Sequence, residues 1–411
     1  MTDFLHLLPP QQALELWLAN LPPFSPRVEQ IPLLQSLGRI TAEELLAPAP
    51  LPAFPRSTVD GYAVHARDTF GASESLPAYL QLTGEIPMGK AVEESLADRS
   101  AVLIHTGGML PPGADAVVMI EYTQTTGTGE VEILRPAAPL ENILGIGEDV
   151  QPGQKVISSG KRIRPEEIGG FSAFGIQTIH CFAQPRVGIL SSGDEVIPPH
   201  QQPLPGQVRD INTFSLSALV EQNGGLPMQY EILPDVEAIF HEKLRQVLAQ
   251  SDFVIITAGS SASTRDLTAR VIQQMGPPGV LVHGVNIKPG KPTILAVCNG
   301  KPLIGVPGNP VSALVIARLF ALPILRYLSG WQEPVILPSI PARITINLSS
   351  QAGREDWIPV KLVSSPRGML AEPIFYKSNL IFSLVQADGL IRIHPDSNGL
   401  PADEPVEVML L

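Results

Sequence analysis

Cysteine is nearly absent from this chain: two in 411 residues, Cys181 and Cys298. Neither has a CxxC partner, and both sit in apolar surroundings. This excludes a disulfide framework and a cysteine-based zinc site, and it fits buried thiols in a reducing compartment. Positive charge is also scarce. Lysine and arginine number 28 against 40 aspartates and glutamates, a net charge of −12. That balance excludes a broad nucleic-acid surface, which needs a basic stripe, and it disfavours an anionic membrane surface. The opening MTDFLHLLPP lacks the basic start and apolar run of a secretory signal. The apolar stretch after Pro310 is interrupted by Arg318, Pro323 and Arg326, so no membrane span is expected. No Ser-His-Asp set and no His/Cys metal spacing appears, so a covalent protein nucleophile is not expected. The expectation is a cytoplasmic protein with no nucleic-acid and no membrane partner.

What is abundant is proline, at 42 residues, and apolar residues, at 44%. The prolines imply stiff, extended connections between apolar runs. The length suits roughly two to four domains with a real core. Residues 10–21 place Leu14, Trp17, Leu18 and Leu21 at helical spacing. From about residue 45 to 140, short alternating runs separated by Gly and Pro turns predict a small β-rich lobe. The stretch PEEIGGFSAFG predicts a helix with Pro165 near its start and Gly175 as its stop. From about 184 to 330 the pattern is β-α-β-α. Buried strands are expected at 187–190, 253–257 and 303–306. Helices are expected at 213–222, capped by Asn212, and at 268–275. Continuously apolar strands alternating with helices mean a doubly wound, mostly parallel sheet covered on both faces. After about residue 332, strand alternation returns at 342–348, 357–363 and 390–394, which predicts a C-terminal β-barrel or sandwich.

Ligands of an open parallel sheet sit beyond the carboxyl ends of its strands. Three loops occupy that edge. The first holds Ser191, Ser192 and Gly193, followed by Asp194 and Glu195. The second is AGSSASTRDLT, with Gly259, Ser260, Ser261, Ser263 and Asp266. The third is Pro307, Gly308, Asn309 and Pro310, where Asn309 suits an N-cap and Pro310 the first helical position. Just before it, Lys288 and Lys291 bracket a Pro-Gly turn, and Asn299-Gly300 turns a hairpin. Small residues let backbone N–H groups approach a phosphate, and a capped helix start beside two lysines favours an anion. Glu195 and Asp266 put carboxylates on the same rim, which suits Mg²⁺ held alongside substrate phosphates. Asp266 could instead cap the helix that follows.

The β-lobe carries a second cluster. LPAFPRSTVDGYAV places Ser57, Thr58 and Asp60 in a turn, although Asp-Gly is also a common hairpin turn. AVLIHTGGMLPPGADAVVMIE places Thr106 after a strand, beside a histidine, His105, that reads as structural. Glu148 and Asp149 follow a Gly-rich stretch and read as a turn. Spacing alone does not join these residues to the parallel-sheet domain.

Taken in order, RSTVDGYAV, HTGGMLPPGADAVVMIE, GEDV, SSGDE, NIKPGKP and GVPGNPVSA resemble the MoeA family, which includes the E domain of gephyrin. The resemblance runs from about residue 10 to 411. It implies a multidomain α/β and β fold. The parts would be a linking helical/β domain at 1–45 and 141–183, a β-rich lobe at 46–140, a MogA-like α/β molybdopterin-binding domain at 184–331, and a C-terminal β-barrel at 332–411. It implies a homodimer in which the lobe of one subunit faces the α/β domain of the other. It also implies a molybdopterin molybdenumtransferase, inserting molybdate into adenylylated molybdopterin with Mg²⁺ and releasing AMP. A MogA-like adenylyltransferase and molybdoenzymes would be partner proteins. By motif, Asp60, Thr106, Asp149, Glu195 and Asp266 correspond to catalytic positions, Glu195 and Asp266 to metal positions. Lys288, Lys291, Pro307 and Pro310 correspond to substrate positions.

The chain departs from the family pattern at Ser263 and Arg265, in place of a GGVSVG-type loop, and at Lys377-Ser378-Asn379, in place of a Gly-Ser turn. Arg56 adds a cation beside the DGY block. Two rival functions follow: a molybdopterin adenylyltransferase, or a non-catalytic molybdopterin-binding scaffold.

Overall fold

The apolar runs at 187–190, 253–257 and 303–306 lie at the centre of one six-stranded sheet. The computed structural model describes residues 7–23, 25–258, 262–334, 338–375 and 377–411, without the side chains of 258 and 262–266. The strand order is Leu226–Gln229, Arg186–Ser191, Phe253–Ala258, Lys301–Pro307, Ile294–Cys298 and Pro278–His283. The first four are parallel and the last two antiparallel. Alternate residues feed two cores. Val187, Ile189, Phe253, Ile255, Ile304 and Val306 face one core; Leu190, Val254, Ile256 and Leu303 face the other. The period-2 geometry of a strand requires this split, and it explains why both residue parities are apolar. The Ile294–Cys298 and Lys301–Pro307 strands join through Asn299 and Gly300, at φ 51° and 80°, as a two-residue hairpin turn requires.

Helix Pro10–Ala19 is pinned to this sheet by Trp17. The Trp17 side chain is fully buried, its indole N–H donates to the Ala296 carbonyl at 2.8 Å, and its ring meets Phe253 at 6.0 Å. Helix Asn212–Gln222 starts one residue before the expected range; its N-cap position is Ile211, and the Asp210 carboxylate just before it accepts from the Thr213 amide at 3.0 Å. Asn212 instead donates to the Gly308 carbonyl at 2.8 Å. Helix Ala262–Gln273 begins well before the expected 268, so position 266 lies inside it rather than capping it. Ser and Thr in a first turn do not oppose a helix, and the Ser-rich composition concealed its start.

The apolar stretch after Pro310 corrects a sequence expectation. Pro310–Ser329 is continuous helix, long and apolar enough by length and composition to cross a membrane, with 56% of its most apolar window buried in the protein. Pro323 does not break it because residues Ala317–Ala321 form a π-helical segment just before it, which re-routes the hydrogen bonds that proline cannot make. Val311, Val315, Ile316, Phe320 and Ile324 are buried, and Gly330 ends the helix in the left-handed region. Cys181 and Cys298 are both buried, and desolvation pushes their thiols up to about 11.

The C-terminal strands close into a five-stranded barrel. Ser339–Ile344 pairs with Gly368–Pro373 and Pro405–Leu410, Glu355–Ser365 with Gly368–Pro373 and Gly389–Ile393, and Gly389–Ile393 with Pro405–Leu410. Ala342, Ile344, Val360, Ala371, Ile391, Ile393 and Val408 fill it. The short strand Ile287–Lys288 adds to Glu355–Ser365 in parallel, with Lys288 opposite Asp356.

Internal contacts divide the chain into two compact units. The sheet, its helices and the barrel belong to Met1–Glu43, Ser159–Ile168 and Thr178–Leu411. The second unit is Glu44–Ser158 with Gly169–Gln177. Its six-stranded sheet runs Ala116–Met119, Gly61–Val64, Ser100–Ile104, Ala78–Glu85, Glu130–Ile133 and Thr123–Thr125. Its core includes Tyr62, Val64, Leu80, Val118, Val131 and Ile133.

Candidate active site

The KPGKP turn is shaped by one glycine. Gly290 has φ +111°, and a Cβ there would lie 2.3 Å from Cγ1 of Ile316. Only glycine lets the loop press onto the core helix while the Thr293 hydroxyl donates to the Gly290 carbonyl at 2.7 Å. Lys288 and Lys291 are left exposed, and no described residue pairs with either ammonium. Gly290→Ala is expected to cost about 2 kcal/mol or more, from the positive φ and the clash together. A thermal melt unchanged within a degree would show that the loop relaxes freely.

The PGNP loop lies across the same opening. Asn309 holds the N-cap position, but its side chain makes no cap bond. Its amide donates instead to the Ser378 hydroxyl at 2.9 Å, and the Ser378 carbonyl accepts from the Val311 amide at 3.1 Å. The barrel therefore caps this helix. Lys288, Lys291, Pro307, Asn309, Arg354 and Lys377 are among the groups that border a cavity of about 730 Å³. Among the described residues, four cations and one carboxylate, Asp356, line it. Such a lining suits a compact polyanion, because ammonium and guanidinium groups supply charge-assisted donors from several sides.

The first rim loop is engaged internally. Ser191 is buried, and its hydroxyl lies 2.8 Å from that of Thr213 and 2.9 Å from that of Thr257. The Ser192 amide donates to the Thr257 carbonyl and the Gly193 amide to that of Leu233, at 3.0 and 3.1 Å. These donors hold neighbouring strand ends together. Glu195 is exposed; its backbone carbonyl accepts from the Val208 amide at 2.8 Å, and no described residue hydrogen-bonds its carboxylate. None of the four lines the cavity, nor do Gly308, whose carbonyl is held by Asn212, and Pro310, which is buried. Gly259, Ser260 and Ser261 lie outside the described residues, as does the Asp266 side chain.

In the second unit, Asp60 and Thr106 meet. The Thr106 amide donates to Asp60 Oδ1 at 2.8 Å and its hydroxyl to the same oxygen at 3.3 Å. That amide bond is the main reason the Asp60 carboxyl is held below its ordinary range, with His105 adding to it. His105 lies 3.5 Å from Asp60 and 3.0 Å from Glu85. Asp149 is exposed on the turn whose amide donates to the Leu51 carbonyl at 3.0 Å, without a bond to the Asp60–Thr106 pair among the described residues.

Comparison with known proteins agrees along the chain. The MoeA N-terminal region (domain I and II) matches residues 8–175, a "Probable molybdopterin binding domain" matches 188–327, and the MoeA C-terminal region (domain IV) matches 341–411. The molybdopterin molybdenumtransferase of Haemophilus influenzae is 32% identical over 391 residues, 94% of this chain and 94% of that protein. That of Bacillus subtilis is 31% identical over 389 residues, 93% and 90% of the two chains. The chain belongs to the MoeA family. Two crystal structures of MoeA proteins from Pyrococcus horikoshii share its architecture. Their TM-scores are 0.82 and 0.85 at 35% and 31% identity, covering 98% of this chain and 99% and 100% of theirs.

For a MoeA chain, the pattern-based reading reached Lys288 and Lys291 but not Asn347, Arg354, Asp356, Trp357 or Ser378, all of which line the same cavity. These come from the barrel, and no local signal marks them except the Lys377-Ser378-Asn379 departure. Of the two carboxylates expected to hold the Mg²⁺ that the family implies, Glu195 is the one whose side chain is described. Glu195 offers hard carboxylate oxygens at the sheet edge, and no described cluster of three His, Cys, Asp or Glu forms a closed metal cage.

Proposed function

We propose that the chain is a molybdopterin molybdenumtransferase, inserting molybdate into the dithiolene of adenylylated molybdopterin and releasing AMP. The observation that carries this reading is the cavity of about 730 Å³ bordered by Lys288, Lys291, Arg354 and Lys377. Molybdate and the adenylate are both anions, and their approach is opposed by Coulomb repulsion. The four cations offset that repulsion and fix the oxyanion where the loops at the sheet edge can present the pterin. Glu195, with Asp266 as second carboxylate, would hold Mg²⁺, which supplies Lewis-acid polarisation of a phosphoryl oxygen when bound. Asp60, kept ionised by the Thr106 amide, serves as an acceptor that orders water or a substrate N–H, and Asp149 adds a second carboxylate. The dithiolene sulfurs belong to the substrate, so no protein cysteine is required. Action as a homodimer in the cytoplasm is part of the same proposal.

The test is to incubate purified protein with adenylylated molybdopterin, molybdate and Mg²⁺, and to measure AMP. Release that depends on molybdate is expected, and Asp266→Ala is expected to abolish it with the far-UV circular dichroism spectrum retained. Consumption of ATP with free molybdopterin would point instead to an adenylyltransferase. Ligand binding without AMP would point to a scaffold.

A further inference from the structure

A buried carboxylate in a cavity that takes an anion is an electrostatic anomaly, and Asp356 is that group. It is 3% exposed, yet it borders the cation-lined cavity. Its two oxygens are both occupied. Arg354 Nε donates to Oδ1 at 2.6 Å and Arg354 Nη2 to Oδ2 at 2.9 Å. This side-on pair uses one edge of the guanidinium. The other edge, formed by Nη1 and the outer hydrogen of Nη2, has no acceptor among the described residues. A planar guanidinium with one fork clamped presents its second fork in a fixed direction, which matches two oxygens of a tetrahedral anion. The backbone sets the same geometry. Lys288 sits opposite Asp356 in the two-residue parallel ladder, so the strand that carries the clamp also places the Lys288 backbone beside it.

The geometry points to Asp356 as a positioning residue that acts through Arg354. It holds the guanidinium aimed at the oxyanion, so that Arg354 binds two of its oxygens while Lys288 and Lys291 neutralise charge. This rests on the molybdate reading above and deepens it. It also makes a counter-intuitive claim: removing a negative charge from an anion site weakens anion binding, because the lost aim outweighs the gained potential. The neighbouring Glu355 carboxylate, on the same strand, accepts instead from the Trp357 indole N–H at 2.8 Å and from Arg392 of the adjacent Gly389–Ile393 strand at 2.6 Å.

The experiment is calorimetric titration of the full chain with sodium molybdate, and with tungstate as a second probe, for wild type, Asp356→Asn, Arg354→Ala and the double variant. Asp356→Asn is expected to weaken binding about tenfold, the size of one charge-assisted hydrogen bond made or lost. In the Arg354→Ala background the same change is expected to add less than twofold, because the group it positions is gone. In turnover, Asp356→Asn is expected to raise KM for molybdate with kcat held. Equal or tighter binding by Asp356→Asn, or a full additional loss in the double variant, would overturn the inference. Arg354→Lys is the second arm, since it keeps the charge but has no fork. It is expected to weaken binding at least as much as Asp356→Asn, and wild-type affinity in Arg354→Lys would also overturn the inference should Asp356→Asn fail to fold. Absence of any binding by wild type strikes the molybdate reading itself, whereas intact wild-type binding with an unaffected Asp356→Asn strikes only the role of Asp356.

Discussion

The double variant Lys288→Ala/Lys291→Ala is expected to lose about 10²- to 10⁴-fold in kcat/KM for molybdate, with an unchanged melting temperature. The magnitude follows from two charge-assisted contacts at about 1.5–3 kcal/mol each. The unchanged melt follows from where the side chains are. Both ammonium groups are exposed and neither pairs with a described residue, so the fold makes no use of them. Steady-state AMP release at varied molybdate checks the first part and differential scanning fluorimetry the second. A drop below fivefold would remove the two lysines from the site. A large fall in melting temperature would mean that they hold the loop rather than the ligand. Lysine-to-arginine replacement at both positions separates charge from geometry, because it restores the potential with a bulkier, planar group.

Trp17→Ala is expected to destabilise the protein by about 3–5 kcal/mol. The side chain is wholly buried beneath the sheet, it meets Phe253, and its indole N–H serves the Ala296 carbonyl. Truncation opens a cavity and removes that bond together. Trp17→Phe keeps most of the ring volume and loses the donor, so about 1–2 kcal/mol is expected. Urea unfolding followed by far-UV circular dichroism checks both. A loss under 1 kcal/mol for the alanine variant would mean that helix Pro10–Ala19 contributes little to the stability of the sheet it covers.

The elements that the sequence made legible share a property: their signal is local. Asn299-Gly300 between two apolar runs specifies a tight hairpin by φ alone, and the unbroken apolarity of 187–190, 253–257 and 303–306 specifies burial on both faces. Where a structure depends on partners far along the chain, local pattern could not decide it. The choice between barrel and sandwich turns on Pro405–Leu410 finding both Ser339–Ile344 and Gly389–Ile393, and nothing in any one of these strands encodes that closure. Pro323 shows the limit of a local rule in the other direction. Proline removes one donor, but a π-helical segment just upstream absorbs the defect and the helix continues.

The site divides the same way. Lys288 and Lys291 were visible because charge beside a Pro-Gly turn is an unusual local combination. Arg354, Asp356 and Ser378 were not, because they reach the cavity only through folding of a separate barrel. The Ser191–Gly193 loop illustrates a subtler gap. Its small residues suggest free amides, yet whether an N–H is free depends on which carbonyls lie opposite, and here Thr257 and Leu233 take the donors at Ser192 and Gly193. Composition reports what a backbone could offer, not what its neighbours have already claimed.

The pairing of Ile287–Lys288 with Glu355–Asp356 is only two residues long, but side chains along a strand alternate in direction. A slip of this pairing by a single residue would therefore exchange the outlook of Glu355 and Asp356. Asp356 would swing to the side where Glu355 now serves Arg392 and Trp357, and a longer acid would stand at the mouth meant for the guest. The two neighbouring strands that pin Glu355–Ser365 therefore guard the orientation of its acids, and with it the handling of the guest, against changes in the length of the preceding loop.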